Sequence, residues 1–427
     1  MFLLQTSPGG AKERLLSPLR GWEARGDSKS QGLRPGLPSD APYGADAAKT
    51  GTLCVKAGAL CVKKGAHCTH TVILTVLALV LYVVGAAPLA ALQASVPSAK
   101  LERYEASHEA MGTEFTVAVY GRDQNFLAEV VEQVFEEIDR IDQQMSNYKP
   151  ESELSQINRL AASQDVLVTP NLFALLQTSL HYSEETGGGF DITVGPLMKA
   201  WGFFRGQGRV PSSAELKEVL KHVGYQHVKL DAARRTIHFD VPGIELDLGG
   251  IAKGYAVERA VRVLHDNGIT SAFVSSGMSS IYALGAPPGE KGWKITLRDP
   301  FDEKKAADVA YLKNYSMSVS GNYNKFFKLG GKMYSHIMDP HTGMPVEGML
   351  STTVFVATGT DSDALSKLYV LGVEGSRRYL ANHPDILALF YVPTADGKGF
   401  KRVLLRSSTY NVPPDALVEV SGLAPSG

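Results

Sequence analysis

The stretch IELDLGGIAKGYAVERAVRVLHDNGITSAFVSS, Ile244 to Ser276, carries most of the fold in miniature. Ile244–Leu248 reads as a short strand. Gly249 and Gly250 then turn the backbone, and a helix is expected to begin between Ile251 and Tyr255. That helix runs through GYAVERAVRVLHDNG, and SAFVSS follows as another strand. A helix N-terminus offers free N–H groups and the positive end of a dipole, which suits a phosphate. Lys253 falls in the first turn, where a cation is unfavourable for the helix alone. A nearby anion would justify it. The pattern is neither a Walker loop nor a dinucleotide fingerprint.

The same alternation extends in both directions. Upstream, EFTVAVYG alternates like a strand, and FLAEVVEQVFEEIDRIDQQMSNY carries Leu127, Val130, Val134, Ile138 and Ile141 at helical spacing. VLVTPNLFALLQTSLHYSEETGG predicts a second helix, opened by Pro170-Asn171 and closed by Gly187-Gly188. HVKLD and TIHFD are short strands, and IYALG, WKITLRD and STTVFVAT are strands further on. Strands in clusters interrupted by helices favour an α+β fold over a strictly alternating parallel sheet. Residues after about Ser407 read as a loose tail.

The 427 residues carry a formal net charge of −1, with 44% hydrophobic and 20% charged side chains. That is ordinary globular composition, with no basic stripe for nucleic acid. The three cysteines, Cys54, Cys61 and Cys68, precede the long apolar run. The main body therefore has no thiol nucleophile, cysteine-bound zinc or disulfide.

Residues 1–70 are low in complexity and show no sustained periodicity. Thr71–Leu92 is apolar and uncharged, flanked by Lys63-Lys64 and followed by an Ala-rich segment. Residues 71–94 thus read as a secretory signal or as an uncleaved membrane anchor. A translation start near Val62 would leave residues 1–61 untranslated. The positive flank puts residues 95–427 outside the cytoplasm.

Four segments carry chemistry. GGGFDITVGPLMKAWGF, Gly187–Phe203, is either a close backbone approach to a ligand or a plain loop into a buried strand. ELDLGGIAKGYAVERA is the phosphate-type turn described above. In ATGTDSDALSKLYVLG, Asp361, Ser362, Asp363 and Ser366 stand at a helix start. They either cap that helix or offer oxygens to a hard cation such as Mg²⁺. His336, in YSHIMDP between a strand and a turn, is either structural or a base working near neutral pH. His341, in the turn itself, reads as a solvated loop residue.

In order along the chain, MGTEFTV, MSNYKPESELSQIN, GGGFDITVGPLMKAWGF, LDLGGIAKGYAVE, SMSVSGNYNKFF, HIMDPHTGMPVEG and DALSKLYVLG resemble the ApbE family of FAD:protein FMN transferases. The resemblance runs from about Glu105 to Leu405. It implies a mixed α/β, T-fold-like catalytic domain over 95–407 with FAD in a cleft, followed by a tail over 408–427. It also implies Mg²⁺ on the FAD diphosphate and transfer of FMN to a Ser or Thr hydroxyl of a target protein, releasing AMP. By position, Met111, Tyr148, Gly189, Phe190, Asp191, Asp247, Lys253 and Met338 would bind the flavin nucleotide. Gly250, through its carbonyl, with Asp363 and Ser366 would hold the metal, and His336 would accept the hydroxyl proton.

The family usually reads Asp-Ala-Leu-(Ala/Ser)-Thr-Ala before its apolar LFVLG, so DALSKLYVLG is one residue shorter. That gap brings Asp361 or Ser362 into consideration as ligands. SSGMSS stands where the family carries Gly-Gly-(Asn/Asp), and a lipobox cysteine after the apolar run is missing. The resemblance implies export to the periplasm or anchorage on the outer face of the inner membrane. Acceptors of the implied kind are redox-pump subunits or secreted flavin reductases. A Mg²⁺-dependent FAD pyrophosphatase and a non-catalytic FAD-binding protein are the competing readings.

Overall fold

The structure, a computed structural model, describes residues 100–206, 208–322 and 326–420. The expected leader, the N-terminal region and the three cysteines lie outside the described residues. Among the described residues no helix is long and apolar enough to cross a membrane.

The first five strands are β1 (Glu102–Ala110), β2 (Thr113–Gly121), β3 (Val166–Leu167), β4 (Val228–Asp231) and β5 (Thr236–Phe239). Next come β6 (Ala272–Ser276), β7 (Ser280–Leu284), β8 (Trp293–Arg298), β9 (Ala306–Lys313) and β10 (Tyr315–Gly321). The last six are β11 (Phe326–Leu329), β12 (Lys332–Ser335), β13 (Ser351–Val356), β14 (Leu387–Pro393), β15 (Phe400–Arg406) and β16 (Leu417–Val420). The helices are α1 (Gln124–Met145), α2 (Glu153–Leu160), α3 (Pro170–Glu185), α4 (Gly195–Ala200), α5 (Ser213–Val219), α6 (Ala252–Asp266), α7 (Gly359–Leu365) and α8 (Leu368–Leu380).

Eight strands form the central sheet in the order β1-β2-β6-β7-β10-β13-β14-β15, every neighbour antiparallel. This is the expected α+β arrangement. Strand alternation divides the core between the two faces. Phe115, Val117 and Val119 of β2, with Ala272 and Val274 of β6, join the apolar stripes of α1 and α6. Ala118 and Phe273 point the other way, onto Trp293, Ile295 and Leu312 of the small sheet β8-β9-β16. A third cluster packs Leu365, Leu368 and Tyr369 on Val354, Ala388 and Phe390, and so seats α7 and α8 on β13 and β14.

Helix α1 begins where Asp123 accepts hydrogen bonds from the amides of Asn125 and Phe126, and it buries Leu127, Val130, Val134, Ile138 and Ile141. Two expectations need correcting. Ile244–Leu248 is extended but joins no ladder. The Asn158 side chain donates to Leu246 O (3.0 Å) and accepts from Leu246 N (2.8 Å), and Asp247 N bonds Ile192 O at 2.7 Å. A side-chain amide thus satisfies the backbone that a neighbouring strand would otherwise pair. Likewise residues 408–420 are not a loose tail, because β16 pairs with β9 and packs Val418 and Val420 on the core.

Candidate functional site

The site grows from the N-terminus of α6. No side chain caps that helix locally. Instead the Gly254 amide donates to Asp363 Oδ2 at 2.9 Å, a carboxylate supplied by α7. The two helices cross closely enough for this because Gly254 and Gly359 have no side chains at the contact. The expected convergence of the glycine turn with the acidic segment is therefore present.

The structure brings the three expected metal donors together, and it places a fourth residue among them. Lys367 Nζ lies 3.1 Å from Gly250 O, 3.0 Å from Ser366 Oγ, and 3.0 and 3.3 Å from Asp363 O and Oδ1. Asp363 and Ser366 are each 1% exposed, whereas the Lys367 side chain keeps 20% of its surface. Burial alone would push the Asp363 carboxyl up, but Lys367, then Lys253 and the Gly254 amide, hold it below the usual carboxylate range. Burial pulls the Lys367 ammonium below the usual lysine range, against the opposing pull of Asp363. Lys253 Nζ donates to Gly249 O at 2.7 Å.

The other two candidate oxygens are engaged elsewhere. Asp361 Oδ1 accepts from the Tyr182 hydroxyl at 2.7 Å. Ser362 Oγ lies buried between Ser316 Oγ (2.8 Å) and Ser318 Oγ (2.7 Å) of β10. The next serine on that face, Ser320, holds Ser366 Oγ at 2.8 Å. This serine row escaped the sequence reading, because alternating hydroxyls look like a solvated strand face.

An aromatic pair stands beside the glycine turn. Tyr148, 58% exposed, stacks on Phe204 with ring centroids 4.4 Å apart and planes 8° from parallel. Partial burial and then the Asp247 carboxylate raise the Tyr148 phenol above its ordinary range, which marks the two groups as neighbours. Asp247 Oδ1 itself accepts from Gly249 N at 2.7 Å. Phe204 belongs to a short turn between Gly202 and Gly206, both left-handed, and its neighbour Phe203 meets the His336 ring edge-on at 6.5 Å. His336 is thus in ring contact with Phe203, the chain neighbour of the residue that stacks on Tyr148.

The Gly187–Phe203 segment contains no strand; Asp191–Val194 forms a turn into α4. Asp191 is buried and organises that turn, accepting from Thr193 N (2.8 Å), Thr193 Oγ1 (2.6 Å) and Tyr225 N (2.9 Å). Burial raises its carboxyl above the usual range against those bonds. Phe190 sits under Gly250, its ring 3.4 Å from where a Cβ there would be. Gly189 makes room for Leu371 of α8, whose Cδ2 would lie 2.6 Å from an added Cβ.

His341 is exposed but not idle. Nδ1 lies 3.0 Å from Asp339 Oδ1 and Nε2 lies 2.9 Å from Gly187 O, which ties the Asp339–Gly343 turn to the glycine run. Trp201 Nε1 adds a second tie to Gly343 O at 2.8 Å. Met338 is buried with Leu197, Trp201 and Leu216, so its side chain is part of this support. Met111 lies at positive φ in the β1–β2 hairpin turn and packs on the core shared by β2 and α6. Among the described residues no cluster of three His, Cys, Asp or Glu side chains gathers for a metal.

A profile of the ApbE family matches residues 111–390. The FAD:protein FMN transferase of Treponema pallidum (strain Nichols) is 33% identical over 314 residues, covering 69% of this chain and 86% of that protein. The FAD:protein FMN transferase of Escherichia coli (strain K12) is 30% identical over 298 residues, covering 68% and 84%. The crystal structure of the ApbE protein from Thermotoga maritima superposes with a TM-score of 0.65 at 31% identity, covering 72% of this chain and 98% of that one. The flavin transferase ApbE from Vibrio cholerae gives a TM-score of 0.64 at 27% identity, covering 73% and 99%.

Proposed function

The chain belongs to the ApbE family of flavin transferases, and from that premise we propose the following division of labour in moving FMN from FAD to a Ser or Thr hydroxyl. The acceptor oxygen bonds to the phosphorus of the FMN half, the bond from that phosphorus to the AMP oxygen breaks, and AMP leaves. A hydroxyl is a poor nucleophile at neutral pH, and the His336 imidazole takes its proton. The diphosphate lies at the N-terminus of α6, where the positive end of the helix dipole and Lys253 oppose the charge that develops on AMP. Tyr148 and Phe204 cover the nucleotide and keep water from replacing the acceptor. Asp247, Phe190 and Asp191 fix the turns that frame it.

One observation carries this reading: two lysine heads, Lys253 and Lys367, gather at a helix N-terminus beside the stacked pair of an exposed Tyr148 and a half-buried Phe204. Mg²⁺ would take Gly250 O, Asp363 and Ser366 as ligands and supply charge to the phosphates. Those oxygens hold the Lys367 ammonium, so the site does not fit the ion while Lys367 stays.

The uncharged run Thr71–Leu92 behind Lys63-Lys64 supports work outside the cytoplasm, on an exported or membrane-bound redox protein. Incubating the purified protein with FAD and a threonine-bearing acceptor domain tests the reaction. Covalent flavin on the acceptor is the expected product. Free FMN would make the chain a pyrophosphatase, and intact FAD would make it a binder.

A further inference from the structure

We propose that Lys367 is a resident cation standing in for the divalent metal, so that this chain transfers FMN without Mg²⁺. The inference rests on the transferase reading above. Four oxygens surround Nζ at 3.0–3.3 Å, which is ammonium hydrogen-bond geometry. Mg²⁺ needs oxygens at about 2.0–2.1 Å in near-octahedral array. Ion and ammonium would compete for one position, and their charges repel.

The backbone is built for the lysine. Where the chain is one residue short of the family pattern, the amides of Lys367, Tyr369 and Val370 each bond the carbonyl three residues back, at 3.1, 3.3 and 2.8 Å. This tightened turn between α7 and α8 sets Lys367 four residues after Asp363 and aims its head at Gly250. The surrounding oxygens are fixed independently of any ion. Gly254 N holds Asp363 Oδ2, and Ser320 holds Ser366 Oγ. One carboxylate balances one ammonium, which is how a buried charge is tolerated. Lys253 then provides the uncompensated positive charge for the phosphates.

The test compares wild type with a variant carrying Lys367→Thr and one alanine inserted after it, which restores the family's spacing. Lys367→Met serves as a second variant should the insertion not fold. Each protein is freed of metal, then assayed for covalent flavin on the acceptor domain with EDTA or with Mg²⁺. Binding of Mn²⁺ is followed separately by electron paramagnetic resonance. Wild type should keep its rate in EDTA to within about threefold and bind no stoichiometric Mn²⁺, while the insertion variant binds one ion and loses about 100-fold in EDTA. Lys367→Met should lose transfer in EDTA. Wild type that binds one Mn²⁺ sensitive to FAD, or that stops in EDTA and recovers with Mg²⁺, overturns the proposal. If wild type labels the acceptor under neither condition, the transferase reading fails, and Mn²⁺ binding alone decides the role of Lys367.

Discussion

Gly254 and Gly359 meet backbone to backbone where α6 crosses α7, and a Cβ on either would run into the other's carbonyl oxygen. A Cβ on Gly254 would also lie 2.5 Å from Asp363 Cβ. Gly254→Ala must therefore separate the helices, and overpacking of this kind costs about 1–3 kcal/mol. The Asp363–Gly254 bond should lengthen with it. Thermal denaturation and FAD titration should show a lowered Tm together with weakened binding; a variant with wild-type values in both would mean that the crossing does not set the site.

Asn158→Ala should loosen the Asp247 turn from behind. It removes both bonds to Leu246, whose amide is then buried without a partner, at a cost of about 1–3 kcal/mol. Amide exchange at Leu246 and Asp247 should quicken more than in the rest of the sheet. Uniform exchange across the protein would contradict this.

His336→Asn should lower transfer by about 100-fold or more while leaving FAD affinity near normal. Transfer at the wild-type rate would remove His336 from proton transfer. Tyr148→Ala, by contrast, should act on partition. Losing the stack with Phe204 opens the phosphates to water, so the ratio of free FMN to labelled acceptor should rise. An unchanged ratio counts against shielding.

His341 faces two acceptors, a carboxylate and a carbonyl, so only the doubly protonated ring satisfies both. Burial pulls its pKa down, but the Gly187 carbonyl and then Asp339 carry it above the ordinary 6.5. A group raised in the folded state lends stability that is whole below the unfolded pKa and lost as pH climbs through the folded value. An NMR titration of the His341 ring should give a midpoint above 6.5. Protection of the Asp339–Gly343 turn should fall across the same range, and a midpoint below 6.5 would reverse the assignment.

Local periodicity made much of the fold legible. The stripe Leu127, Val130, Val134, Ile138 and Ile141 named α1, and the alternation of EFTVAVYG named β2, because each pattern reports a single buried face. Ile244–Leu248 has the same alternation, yet its partner is a side chain 88 residues away, which no periodicity encodes. The site was legible as a set of residue types and only partly as a geometry. Lys367 drew no notice in the sequence, because a lysine four residues after an acid has the spacing of an ordinary helix-surface pair, and its burial beneath Gly250 appears only once α7 lies on α6. The tie made by His341 to Gly187 spans 154 residues, so in the linear chain that histidine looks solvated.

The Gly254 amide takes its carboxylate from 109 residues further along, and the Gly250 carbonyl takes its ammonium from 117. Strands β6, β7, β10 and β13 must be laid between these halves before they can touch. Closing loops of that length is slow, and contacts so distant in sequence form late in folding. A nascent chain ending before Asp363 lacks the partners of both the Gly254 amide and the Gly250 carbonyl. The crossing of α6 and α7 is thus a closing act of maturation, made only once most of the chain is in place.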